Sequence, residues 1–133
     1  MAAITELDIW RSANILLKRY GGEGVLIASR RADGALRRWV PVWVVSTGGQ
    51  VYVRTWYRRE TGWFGQVLAS HQARIRVPGL EADVAVDDVG EGVPGLRAEI
   101  DDAYRAKYGR YGGTERMVTD EAAAATLRLS RDS

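Results

Sequence analysis

The fold of this chain is decided by residues 25–56, which read VLIASRRADGALRRWVPVWVVSTGGQVYVRTW. Its apolar runs are short and rich in β-branched and aromatic residues, which is typical of buried strands. Asp33-Gly34 and Gly48-Gly49 separate these runs and supply the positive φ values that tight turns need. Three strands are therefore predicted, forming a meander: Val25–Ser29, Leu36–Ser46 and Val51–Trp56.

The periodicity of apolar residues also predicts the elements that flank this meander. In chain order they are a helix at Glu6–Arg19, a short helix at Trp63–Leu68, strands at Ala73–Val77 and Leu80–Val89, a helix at Pro94–Tyr108, and a sixth strand at Thr126–Leu129. Hairpin-joined strands interrupted by helices predict a mainly β protein with helices, an α+β fold. We expect one domain over residues 1–133, built on a six-stranded antiparallel barrel or strongly curved sheet.

Composition excludes several classes of function. The chain of 133 residues has no cysteine and a single histidine, His71, so thiolate chemistry and a metal site are not expected. No apolar run is long enough to span a bilayer, and the N-terminus lacks the features of a signal peptide. We therefore expect a cytoplasmic protein with no membrane partner.

Positive charge is concentrated in the first part of the chain. Between Gly24 and Val77 there are nine arginines against only Asp33 and Glu60, although the net charge of the whole chain is +2. Four of the five tryptophans lie in the same region: Trp39, Trp43, Trp56 and Trp63. The acidic segment that follows would repel a nucleic-acid backbone, so we expect no nucleic-acid partner. Guanidinium groups beside flat aromatic faces favour a planar, anionic small molecule instead.

Four segments carry a resemblance to known proteins: Ala28–Trp43, Val51–Thr55, Gly62–Phe64 and Ala103–Tyr111. Together they resemble a family of small bacterial proteins of undetermined function. That family is in turn similar to the split β-barrel binders of flavin and deazaflavin, such as deazaflavin-dependent nitroreductases and pyridoxamine-phosphate-oxidase-like proteins. The resemblance implies an FMN-binding split-barrel-like fold, FMN or a deazaflavin as cofactor, and a homodimer with its site near the subunit interface.

The resemblance also implies candidate cofactor residues, because those binders have an Arg-x-x-Pro strand, a following strand that ends beside the cofactor, and a Trp that begins a short helix. The matching positions and their neighbours are Arg37, Arg38, Arg54, Thr55, Trp56, Arg59 and Trp63. Arg37 or Arg38 would meet the phosphate, while Thr55, Trp56 and Trp63 would line the ring system. Neighbouring strand residues face opposite ways, so only one of the two arginines should enter the site. Replacing Arg38 is expected to weaken binding.

Lys107 is the most unusual residue of the long predicted helix. At helical spacing it falls on the apolar stripe that contains Leu96 and Ile100, and lysine is seldom buried without a partner. One interpretation is that it extends past the helix end or pairs with a carboxylate. The other is that it projects into a cleft with Tyr104 and Tyr108, which would make these three residues the catalytic candidates.

The first functional hypothesis is a flavin- or deazaflavin-binding, oxidoreductase-like protein that acts on a small organic substrate. The second is a cofactor-free cyclase or isomerase that uses Lys107, Tyr104 and Tyr108 as acid and base. The third is a non-catalytic small-molecule binder, since a fold alone does not fix an activity.

Overall fold

The computed structural model describes residues 25–54, 62–77, 80–90, 94–109 and 114–131. The predicted helix at Glu6–Arg19 lies outside these residues. In chain order the elements are β1 Leu26–Ser29, β2 Val40–Pro41, β3 Val44–Thr47, β4 Gln50–Arg54, α1 Gly62–Ser70, β5 Gln72–Val77, β6 Leu80–Asp88, α2 Pro94–Tyr108, a 3₁₀ helix Thr114–Val118, α3 Asp120–Ala124 and β7 Thr126–Arg131. Helix α2 has the predicted bounds.

The strands form one antiparallel sheet in the order β2-β1-β5-β6-β7-β4-β3. Its two edge strands are consecutive in the chain and are separated only by Val42 and Trp43. Pro41 and Val44 can therefore lie no more than about 11 Å apart. Seven strands laid flat would place the two edges about 29 Å apart. The sheet must curl, which confirms a mainly β protein with a strongly curved antiparallel sheet.

The prediction of six strands is wrong, because the return strand Leu36–Ser46 is divided in two. Its first part, β2, pairs with β1, whereas its second part, β3, pairs with β4 at the opposite edge. Pro41 ends β2, and proline lacks the N–H that a continued ladder would use. The chain thus changes partner at Val42 and Trp43, and the sheet has seven strands in the described part of the chain.

The pairing of β1 with the segment before β2 contains a one-residue bulge. Two residues separate Ile27 of β1 from Arg30, which directly follows the strand, but three residues separate their partners Val40 and Leu36. The extra residue lies within Arg37–Trp39. Because a bulge interrupts the alternation of side chains, the strand rule does not decide which of Arg37 and Arg38 enters a site.

Side chains from six of the seven strands meet on the concave face of the sheet. They form an inner core with α1: Val25, Ile27, Val42, Val44, Val51, Val53, Phe64, Val67, Ala73, Ile75, Val77, Ala82, Val84, Val86, Ala125, Leu127 and Leu129. Phe64 and Val67 are the buried contributions of α1. Burial of these aliphatic groups fixes α1 against the sheet, and α1 carries two of the residues of the candidate site.

Helix α2 packs on the outer face of β3 and β4. Its residues Ile100, Tyr104 and Tyr108 join Val45 and Tyr52 of the strands, with Met117 of the 3₁₀ helix, in a separate outer core. A Cβ at Gly109 would collide with the carbonyl oxygen of Arg105, so glycine suits the helix end.

Candidate functional site

The bulge and helix α1 meet at Ser29, a buried polar residue at the end of β1. The Ser29 hydroxyl donates a hydrogen bond to Oε1 of Gln66 on α1, at 2.8 Å. The Ser29 carbonyl accepts a hydrogen bond from the backbone N–H of Arg37, also at 2.8 Å. We call Ser29, Arg37, Trp63 and Gln66 the Ser29 site.

Arg37 is the cationic member of the Ser29 site. Arg37 as a whole is half-buried, but its Nε atom is fully buried and has no hydrogen-bond partner in the described part of the chain. Buried polar atoms are rarely left unpaired, and such a donor is available to an acceptor from outside the chain. Arg38, by contrast, is exposed. Of the two arginines, Arg37 is the one whose surroundings suit an anion, so weaker binding is expected on replacing Arg37 rather than Arg38.

Trp63 is the aromatic member of the Ser29 site. It lies three residues before Gln66, so the two side chains are neighbours on the surface of α1. Trp63 is half-buried, packs against the inner core and meets the ring of Phe64 edge-on, with centroids 5.6 Å apart. The structure thus places an aromatic ring on α1 and a guanidinium with an unpaired Nε on the bulged segment, the two elements that Ser29 joins.

Three of the predicted cofactor residues, Thr55, Trp56 and Arg59, lie outside the described residues. Sequence reasoning missed Ser29 and Gln66. The available signal was the position of Gln66, a polar residue one turn after Trp63 on a short apolar helix.

Arg54 does not belong to the Ser29 site. Its side chain is fully buried beneath α2, where it forms an ion pair with Asp101. Its Nε donates to the Thr126 hydroxyl and its Nη1 donates to the carbonyl of Met117, both at 2.8 Å. Arg97 also approaches Asp101, at 3.6 Å. Arg54 therefore joins β4 to β7, α2 and the 3₁₀ helix.

Tyr104 and Tyr108 also lie beneath α2, close to Arg54. The Tyr104 hydroxyl accepts from the Arg54 backbone N–H at 2.9 Å and donates to the Trp43 carbonyl at 2.7 Å. The Tyr108 hydroxyl donates to the Val44 carbonyl at 2.7 Å, and its ring stacks on Trp43 at 4.4 Å. Burial raises the pKa of Tyr104 far above its ordinary value. These contacts attach α2 to β3 and β4.

Lys107 is half-buried beside the two tyrosines. Its ammonium donates to the Val44 carbonyl at 2.8 Å and lies 5.3 Å from the centre of the Tyr108 ring. Burial lowers the pKa of Lys107 from 10.5 to about 8, because the charged form loses solvation. The three residues predicted to be catalytic are thus brought together, at a place distinct from the Ser29 site.

The lowered pKa of Lys107 predicts a pH-dependent contribution to stability. Between pH 8 and 10.5 the unfolded chain binds more protons than the folded one, so Lys107 makes the free energy of unfolding rise over that window. This rise in the free energy of unfolding should be about 1 kcal/mol, because the partly exposed ammonium keeps contact with water, which reduces the cost of burying its charge. Lys107→Met should remove this rise.

The measurement is urea unfolding of the wild type and of Lys107→Met from pH 7 to 10.5. The variant should be the more stable protein at pH 7, and the two free energies should converge at the upper end. Lys107→Arg is the control, since its guanidinium stays charged throughout. Parallel curves for the wild type and Lys107→Met would show that burial does not perturb this amine.

Much of the predicted positive region is neutralised by strand β6. Arg74 pairs with Glu81 and Asp83 at 2.9 Å, Arg30 pairs with Asp83 at 2.8 Å, and Arg76 pairs with Glu81 at 3.2 Å. The hydrogen bond from Arg74 is the main cause that lowers the pKa of Glu81. Burial alone would raise the pKa of Asp83, but hydrogen bonds from Arg30 and Arg74 outweigh it and lower that pKa.

The two tryptophans of the return strand take up contacts on different elements. The guanidinium of Arg76 lies 4.1 Å from the centre of the Trp39 ring, whereas Trp43 stacks on α2. His71 is exposed just after α1 and has φ of 58°, a left-handed conformation common at helix ends.

No helix in the described ranges is both long and apolar enough to cross a membrane. The same residues contain no group of three or more side chains suited to holding a metal ion.

A bacterial family model, described as "Uncharacterized protein conserved in bacteria (DUF2255)", matches residues 20–129. No curated protein matches the chain. Among solved structures, a FAD-binding protein from Mesorhizobium loti is similar with a TM-score of 0.58 at 13% identity, and the match covers 92% of this chain and 89% of that one.

Two further solved structures are similar. A conserved hypothetical protein from Mycobacterium tuberculosis has a TM-score of 0.58 at 10% identity, with 90% of this chain and 78% of that chain covered. A NimC/NimA family protein from Clostridium acetobutylicum has a TM-score of 0.50 at 20% identity, with 91% and 81% covered. At such low identity these similarities show a shared fold.

Proposed function

The chain belongs to the DUF2255 family of uncharacterized bacterial proteins, and from this premise we propose that it is a split-barrel protein that binds FMN or a deazaflavin and acts with it on a small organic substrate. The similarity to a FAD-binding protein supports the choice of a flavin-like ligand. A homodimer is part of the proposal, and light scattering that gave a monomer mass would remove that part.

The observation that carries the proposal is the buried, unpaired Nε of Arg37 in the bulge beside α1. A guanidinium binds phosphate oxygens through charge-assisted hydrogen bonds, often two at once. Bulges often re-aim side chains next to active sites, and this bulge lies within Arg37–Trp39. A flavin phosphate would supply the acceptor that Arg37 lacks.

The other members of the Ser29 site also fit such a ligand. Trp63 offers an aromatic surface to a planar ring, and Gln66 offers amide hydrogen bonds. When bound, a flavin or deazaflavin supplies hydride transfer. The chain's own residues would bind the phosphate, orient the ring and keep water from one of its faces.

The experiment is a visible absorption spectrum of the purified protein, before and after incubation with FMN or a deazaflavin and removal of the free compound. Retained absorbance at a fixed ratio to protein is the expected result. Loss of all absorbance, together with no saturable quenching of tryptophan fluorescence, would contradict the proposal.

A cofactor-free acid–base enzyme is the second candidate, and the observation in its favour is the half-buried Lys107 with its pKa lowered to about 8. The side chains of Tyr104 and Tyr108 are buried and donate to backbone carbonyls, whereas Lys107 is the half-buried member of the three. Turnover of a substrate by protein that carries no flavin, lost in Lys107→Met, would favour this candidate.

A further inference from the structure

Gln66 has an amide that is paired with a buried hydroxyl. Its Oε1 accepts from the hydroxyl of Ser29, a residue that is only 1% exposed. An amide that accepts through its oxygen presents its NH₂ group, which carries two donors, in the other direction. No acceptor among the residues that the structure describes engages those donors.

Arg37 adds donors at the same place. The Arg37 backbone and the Gln66 side chain both bond to Ser29, one to its carbonyl and the other to its hydroxyl. A guanidinium cannot accept a hydrogen bond, and neither can an amide nitrogen. The Ser29 site therefore combines a cation with neutral donors, an arrangement that suits a phosphate group better than a neutral hydroxyl chain.

We propose that Gln66, held by Ser29, determines specificity for the phosphorylated form of the cofactor, so that FMN is selected over riboflavin. This inference rests on the function proposed above. The two compounds share the same ring and differ in the terminal phosphate. The difference between their affinities therefore isolates the contribution of the donors around that phosphate.

The variant Gln66→Glu tests the inference. A glutamate can still accept from the Ser29 hydroxyl, but it replaces the amide donors by a negative charge that repels phosphate and neutralises Arg37. In titrations followed by flavin fluorescence, the affinity for FMN should fall about tenfold or more. The affinity for riboflavin should stay within about twofold of the wild type, since riboflavin has no phosphate for the glutamate to repel.

Gln72→Glu is the matched control, because Gln72 is an exposed residue at the start of β5 and the change in net charge is the same. It should leave both affinities unchanged. Equal losses for FMN and riboflavin in Gln66→Glu, or the same effect in Gln72→Glu, would overturn the inference. If Gln66→Glu does not fold by circular dichroism, Ser29→Ala takes its place. It should weaken FMN selectively, and no selective loss would overturn the inference.

Failure of the proposed function gives a different pattern. If the wild type binds neither FMN nor riboflavin, the cofactor proposal fails, and calorimetric titration with inorganic phosphate decides the inference about the donors. Saturable binding of phosphate that weakens in Gln66→Glu and not in Gln72→Glu would support an anion site at Ser29. Absence of phosphate binding to the wild type would overturn it.

Discussion

Asp101→Ala is expected to lower the free energy of unfolding by about 3–5 kcal/mol, the range observed when one partner of a buried ion pair is removed. The Arg54 side chain is fully buried, and Asp101 is its carboxylate partner, so the variant would leave a guanidinium without a counter-charge. Arg97 would lose the same partner. Urea or thermal unfolding measures the change.

Asp102→Ala is the matched control. Asp102 is the next residue on α2, its side chain is 78% exposed, and its ion pair with Arg105 spans 3.4 Å at the surface. Such pairs contribute about 0.2–1 kcal/mol. Similar losses for the two variants would show that the Arg54 ion pair does not hold α2 and the 3₁₀ helix to the sheet.

Arg37→Ala is expected to weaken the binding of FMN by about ten- to a hundredfold, because a charge-assisted hydrogen bond to phosphate contributes about 1.5–3 kcal/mol. The unpaired, buried Nε of Arg37 is the structural reason. Equilibrium titration by quenching of tryptophan fluorescence measures the affinity, and unfolding curves verify that the variant is folded.

Arg38→Ala is the control, since Arg38 is the exposed neighbour with the same charge. Its affinity for FMN should stay within about threefold of the wild type, as expected for a solvent-screened charge. If Arg38→Ala binds FMN more weakly than Arg37→Ala, the phosphate is bound by Arg38. That result would contradict the assignment of the phosphate to Arg37.

Most of the described secondary structure was predictable, because the residues that terminate its elements are local. Pro94 and Gly109 fix the ends of α2, and Asp33-Gly34 and Gly48-Gly49 mark the turns. The division of the return strand was not predictable in the same way. It depends on which strands lie at the two edges of the curled sheet, and that is a long-range property.

The candidate site was predictable only in part. Arg37 and Trp63 follow from the family resemblance, but the bulge that separates the environments of Arg37 and Arg38 appears only once β1 and its partner are paired. The sequence carried a local signal that Arg74 and Arg76 are paired with carboxylates. Both face Glu81 and Asp83 across a hairpin that the sequence predicts, so alternation along the two strands would have paired them.

The burial of Arg54 could not be predicted from the sequence. By sequence it ends a strand next to candidate cofactor residues, and nothing local places its side chain beneath a helix that begins forty residues later. Its partner Asp101 lies at helical spacing between Arg97 and Arg105, and such a row of opposite charges is typical of an exposed helix face. The ion pair can be recognised only once the packing of α2 against β4 is known.

We propose that a flavin binds at the Ser29 site, and a heteronuclear NMR titration of ¹⁵N-labelled protein with FMN tests this most directly. The side-chain Nε–H of Arg37 and the indole N–H of Trp63 should shift progressively and saturate together. The indole of Trp43 and the Nε–H of Arg54, which lie beneath α2, should change little. Shifts confined to Trp43 and its neighbours, or no saturable shift at Arg37, would contradict the account.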